Sequence, residues 1–148
     1  MNINKTIIYV VDSLGIGGAE QVIRKSVTDI VDYTLVIVAL NAPIMKEKLP
    51  PHIKVLNLNH RSQRDFLRTF KRLRKIIQSY KPVLIHAHLF WSTIFSRIVK
   101  PKHIPLVVTY HSLLYQKNSF QYSWKMSFLD KLTSSMSSFH IYVSEQVK

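Results

Sequence analysis

Residues 5–23, KTIIYVVDSLGIGGAEQVI, decide the fold. Lys5 to Asp12 is a short β-branched run, the pattern of a strand buried within a parallel sheet. It runs into Gly15, Gly17 and Gly18, after which Ala19, Val22, Ile23, Val27 and Ile30 follow helical spacing. Strand, glycine turn and helix in direct succession predict the opening of an alternating α/β chain.

The alternation continues downstream. Thr34 to Leu40 (TLVIVAL) reads as a second buried strand, 41–51 as a loop and Ile53 to Leu58 as a third strand. Ser62 to Tyr80 is the strongest helix signal: Phe66, Phe70, Leu73, Ile77 and Tyr80 step by four and three, with Leu67 and Ile76 widening the stripe. Lys81-Pro82 closes it, since the residue before proline avoids the helical region. Val83 to His88 predicts a strand, Phe90 to Val99 a helix and Pro105 to His111 another strand. Phe120 to Met136 carries Trp124, Phe128, Leu129 and Leu132 at helical spacing, Phe139 to Ser144 predicts a last strand, and Glu145 to Lys148 the start of a further element. Strands alternating with helices pair in parallel through right-handed crossovers, which gives an open doubly wound parallel sheet of the α/β class. Ligands of such sheets bind outside the carboxyl ends of the strands, here the loops after Asp12, Leu40, His88 and His111.

Composition bounds the remaining possibilities. The 148 residues, 47% hydrophobic, suffice for one domain with a substantial core. The absence of Cys excludes a disulfide scaffold, a thiolate metal site and cysteine catalysis. The apolar run from Ile7 to Val11 stops at Asp12, unlike a signal peptide, and the longest apolar stretch, Pro82 to Val99, is interrupted by His86, His88 and Arg97. A soluble, cytoplasmic, single-domain chain is expected. Lys and Arg total 21 against 8 acidic residues, a formal charge of +13, and no Asp or Glu occurs from Phe66 to Leu129. Such a field draws anionic partners.

The glycine cluster admits two readings. Glycines permit positive φ and close approach of a ligand to the backbone, and the free N–H groups of a helix start favour anions. Alternatively the cluster is a tight strand-to-helix turn, with Glu20 complementing the helix dipole. It is no dinucleotide fingerprint, because Glu20 occupies the third glycine position counted from Gly15 and Gly17. Among the histidines, His86 and His88 share one face of a strand, with His88 nearer the rim. His86 reads as a hydrogen-bonded core residue, whereas His88 and His111 suit ligand contact or packing. No carboxylate adjacent in sequence completes a metal site, so no metal is expected. The cations Arg68, Arg72 and Lys75 form either the solvated face of a sheet-covering helix or a contact for anionic lipid. No recognised nucleic-acid-binding signature accompanies them, and no nucleic acid partner is expected.

Together these motifs resemble the N-terminal half of family 4 glycosyltransferases, which have the Rossmann-like GT-B fold. SLGIGGAEQVI (Ser13 to Ile23) is similar to the family's GGAE loop and helix. KPVLIHAH (Lys81 to His88), IPLVVTYHS (Ile104 to Ser112) and IYVSEQVK (Ile141 to Lys148) follow in the family's order, with Val83 and Ser112 where it favours Asp. The resemblance covers essentially residues 1–148 and implies an acceptor-side domain without the second, nucleotide-sugar-binding domain. It implies a retaining hexose transfer from a nucleotide-sugar donor to a glycan or lipid-linked acceptor, in polysaccharide or glycolipid synthesis, with no cofactor and no obligatory metal. By the same resemblance Gly17 and Gly18 approach the donor diphosphate, His111 meets the transferred sugar, His88 lines the cleft floor and Glu20 orients loop or acceptor. The basic face then lies peripherally on an anionic membrane surface, and this chain alone is expected to be inactive. The alternatives are a catalytically silent interaction module, a subunit of a split enzyme and, remotely, a charge-driven nucleic-acid-binding domain.

Overall fold

The computed structural model describes residues 5–44, 49–111 and 123–143. Six strands, β1 (Thr6–Val11), β2 (Thr34–Ala39), β3 (Lys54–Asn57), β4 (Leu84–His88), β5 (Leu106–Tyr110) and β6 (Phe139–Tyr142), form one sheet in the order β3-β2-β1-β4-β5-β6. Every neighbouring pair is parallel. Four helices accompany them: α1 (Gly18–Thr28), α2 (Phe66–Tyr80), α3 (Phe90–Val99) and α4 (Trp124–Thr133). The strand order reverses between β1 and β4, and this switch point is where such sheets open a ligand crevice. The α/β doubly wound expectation therefore holds.

Alternate residues of β1 and β2 serve two cores. Ile8, Val10, Ile85 and Val108 pack with Leu73 and Ile77 of α2 and Phe95 of α3. Ile7, Tyr9 and Val11 pack on the other face with Ile23 and Val27 of α1. Helix α2 begins after a capping box in which Ser62 and Asp65 satisfy one another's backbone donors, and it ends on Lys81 in the left-handed region. Buried Arg97 of α3 binds Asp130 of α4 at 2.6 Å and also donates to Tyr110 Oη and Thr133 Oγ1, tying both helices to β5. Burial pushes the Tyr110 hydroxyl up to about 12.

Two expectations about packing are corrected. Val22 and Leu67 are exposed, the latter at 74%, because they fall just outside the stripe that meets the sheet. On α4 it is Asp130 and Thr133 that are buried, since α4 meets α3 through the Arg97 network; Trp124, Phe128 and Leu132 are 65%, 63% and 65% exposed. Strand β6, whose paired neighbour is β5 alone, is exposed at every residue. The expectations for Phe120 to Tyr122, Ser144 and Glu145 to Lys148 fall outside the described residues.

Candidate functional site

The segments that follow β1 and β4 meet at the carboxyl ends of these strands, joined there by His111, the residue after β5. After β1, Asp12 turns its carboxylate across to α3, where Oδ1 accepts the Ser92 N–H at 2.6 Å and Oδ2 the Trp91 N–H at 3.3 Å. It thus caps a helix that has no side-chain cap of its own. Burial raises the Asp12 pKa, against the pull of the Ser92 and Trp91 hydrogen bonds. Leu89, at the start of α3, holds φ 74° and ψ 177°, a conformation suited to glycine. Thr93 Oγ1 donates to the Leu89 carbonyl and Ser92 Oγ to that of His88, so neighbouring side chains hold this junction in place.

All three glycines of the protein lie between the end of β1 and the first residue of α1. None has positive φ, so the loop makes no use of the left-handed region that glycine permits. What they provide is missing volume. A Cβ on Gly15 would stand 3.2 Å from Pro43, and one on Gly17 would collide with the Glu20 carboxylate. One on Gly18 would meet nothing within 4 Å, so this backbone is open to approach. Gly17 precedes α1 without a side-chain cap, leaving the positive helix start facing outward. Arg24 donates to the carbonyls of Leu14 and Gly15 and holds the loop against α1. Gly18 also borders a cleft of about 580 Å³ that Arg24 and Lys25 line.

The histidines form a ladder on the α1 face of the sheet. His86 Nε2 lies 2.8 Å from Thr109 Oγ1, and its ring centroid is 4.0 Å from that of His88. His88 stacks on Tyr9 at 5.4 Å, and its Nδ1 lies 3.0 Å from Nε2 of His111. His88 is 2% exposed, so the expected rim position is corrected: His111 covers it. Burial, reinforced by the neighbouring imidazoles, lowers His86 to about 4 and His88 to about 2. Burial also lowers His111, while nearby Glu20 opposes that shift. Glu20 Oε1 in turn accepts the Ser13 hydroxyl at 3.2 Å.

The structure therefore brings together Gly17, Gly18, Glu20, His111 and, beneath them, His88. Arg68, Arg72 and Lys75 are elsewhere, exposed on α2 on the opposite sheet face. Arg68 pairs with Asp65 at 2.5 Å, while Arg72 and Lys75 border a cleft of about 380 Å³ between β3 and α2. Of the apolar and aromatic residues in the same acid-free stretch, Trp124 is exposed, and Leu113, Leu114, Tyr115, Phe120 and Tyr122 lie outside the described residues. Asp12, Tyr9 and Thr109 escaped the sequence reading; the position of Asp12 at the end of the first strand was the available signal. Among the described residues no group of three or more His, Asp or Glu side chains could hold a metal, and no helix is long and apolar enough to cross a membrane.

A family model described as Glycosyltransferase Family 4 matches residues 16–148. Among solved structures, UDP-N-acetylglucosamine 2-epimerase from Rickettsia bellii superposes with a TM-score of 0.65 at 11% identity, over 97% of this chain and 40% of that one. The UDP-GlcNAc 2-epimerase of Methanocaldococcus jannaschii gives 0.60 at 12% identity, over 96% and 40%. Sucrose-phosphate synthase from Thermosynechococcus elongatus gives 0.58 at 16% identity, over 88% and 40%. At these identities the likeness is one of fold, and the chain spans 40% of the length of each structure. Comparison with curated proteins gives no match.

Proposed function

We propose that this chain, which belongs to Glycosyltransferase Family 4, is the acceptor-side domain of a retaining glycosyltransferase that moves a hexose from a nucleotide sugar to a glycan or lipid-linked acceptor. The observation that carries this reading is the juxtaposition of an uncapped, Cβ-free helix start at Gly17 and Gly18 with Glu20 and His111 at the switch point. In the transfer, the bond from the anomeric carbon to the diphosphate oxygen breaks and a bond to the acceptor oxygen forms, and the acceptor proton leaves with the diphosphate. Negative charge grows on that leaving group, and the Gly17–Gly18 backbone with the α1 dipole supplies stabilisation where it grows. His111 meets the transferred sugar and Glu20 orients the loop. His88 acts from beneath His111.

A second domain completes the nucleotide pocket in this account, so the 148-residue chain alone turns over no nucleotide sugar. The Arg68, Arg72 and Lys75 face of α2 rests on an anionic cytoplasmic membrane surface, near lipid-linked acceptors. A second reading, an interaction module or one subunit of a split enzyme, is favoured by the apolar face of Trp124, Phe128 and Leu132. An assay of the chain fused to a donor-binding domain of the same family separates them. Transfer that Gly18→Val and His111→Ala abolish supports the enzyme; a fold-competent fusion without transfer for any nucleotide sugar supports the module.

A further inference from the structure

We infer that His88 is a positioning residue that fixes the imidazole of His111 as the tautomer with its proton on Nδ1. One hydrogen bond joins the two rings, His88 Nδ1 to His111 Nε2 at 3.0 Å, and neutral rings place one proton in it. The other ring nitrogen of His88 decides on which side that proton sits. Nε2 of His88 is buried with no hydrogen-bond partner among the described residues. If His111 donated, His88 would carry its own proton on Nε2, a buried N–H with nothing to accept it. Orphaned buried donors are the rarest unsatisfied groups in folded proteins. If His88 donates from Nδ1, only a lone pair is left unpaired in that pocket. His111 Nε2 is then the acceptor, and its proton resides on Nδ1, the nitrogen turned away from His88.

The surroundings hold this arrangement. Tyr9 stacks on His88 at 5.4 Å with the rings 13° apart, and His86 presses from its other contact at 4.0 Å while its own Nε2 is taken up by Thr109. The charged groups around the pair are few. Glu20 faces His111, and among the described residues no other carboxylate acts on His86, His88 or His111. Both rings stay neutral at physiological pH because burial disfavours their charged forms. The consequence rests on the proposed function: His111 presents an N–H donor, which selects an oxygen acceptor, a sugar hydroxyl or a phosphate oxygen, and cannot serve as a base through that nitrogen.

Long-range ¹H–¹⁵N correlation spectra of the 148-residue chain at neutral pH read the tautomers without any sugar. The result expected is a protonated-type Nδ1 and a bare-type Nε2 for His111, with His88 the same. In His88→Phe, which keeps the stacking on Tyr9 and removes the donor, His111 shifts toward the Nε2–H form. In His88→Asn, whose side-chain amide can both donate and accept, His111 is no longer held to one tautomer and both forms appear. Amide spectra of each variant report whether the sheet is intact. An Nε2–H His111 in the unsubstituted chain, or a His111 tautomer that ignores His88→Phe in a folded variant, overturns the proposal. Because no donor is present, these outcomes are independent of whether the chain handles nucleotide sugars.

Discussion

The carboxylate of Asp12, at the end of β1, closes the first turn of α3 by accepting the Ser92 N–H at 2.6 Å, across 80 residues of sequence. It ties the end of β1 to the helix that follows β4, across the point where the strand order reverses. Replacing it with Ala leaves two helix-start donors without their partner. Asp12→Ala is expected to cost about 1–2 kcal/mol in urea unfolding. Hydrogen exchange at the Trp91 and Ser92 amides rises more than elsewhere in α3. Uniform exchange throughout the helix would show that the cap is not local.

The histidine ladder makes stability depend on pH. Burial lowers His86, His88 and His111 below the ordinary histidine value, so the unfolded chain binds protons that the folded one refuses. Their contribution is present above about pH 6.5 and is lost as pH falls toward about 4 for His86 and lower still for His88. Asp12, with its raised pKa, acts in the opposite sense, and its charged form becomes less of a burden only at the acid end of that range. Unfolding free energy is therefore expected to fall from pH 7 to pH 5, and less steeply in His86→Gln. A flat profile over that range would contradict the burial of these rings.

The glycine loop separates volume from function. Gly18→Val places its side chain in open space, so melting temperature changes little. Gly17→Val must push the Glu20 carboxylate aside, and Glu20 holds Ser13. In a completed enzyme both should abolish transfer, the first by blocking the backbone and the second by displacing Glu20 as well. Unchanged donor KM and kcat in Gly18→Val would reduce the loop to a turn.

The basic face predicts lipid selectivity. Co-sedimentation should show binding to vesicles containing anionic lipid and none to neutral ones, at about 1 kcal/mol for each cation near the surface. Raising salt from about 0.1 M to about 1 M, which shortens the Debye length from about 10 Å to about 3 Å, should abolish it. Replacing Arg68, Arg72 and Lys75 with Glu weakens binding at a modest cost in stability, since the Arg68–Asp65 pair and the Arg72 bond to the Leu58 carbonyl are lost while the α2 stripe that meets the core is kept. Equal attachment to both lipids would mean that charge does not direct it.

Much of this was legible in the residues. Buried parallel strands are contiguous apolar runs, so TIIYVV, TLVIVA and LVVTY declare themselves, and the glycines after the first mark the crevice. Depth was not legible. Period two puts His86 and His88 on one face, yet His88 is buried because His111 arrives over it from 23 residues away. Helical spacing likewise shows a stripe on α4 without showing that Arg97 draws its polar side inward and leaves Trp124 exposed. The Asp12 cap joins positions 80 apart, beyond the reach of any local pattern.

Amide NMR of the ¹⁵N-labelled chain titrated with nucleotide sugars tests whether the crevice at Gly17, Gly18 and His111 receives a sugar diphosphate. Weak, saturable shifts concentrated at 17–20 and 111 are expected, with Gly18→Val removing them and Arg72→Glu leaving them in place. Shifts confined to α2, or none with any nucleotide sugar at millimolar concentration, would contradict it.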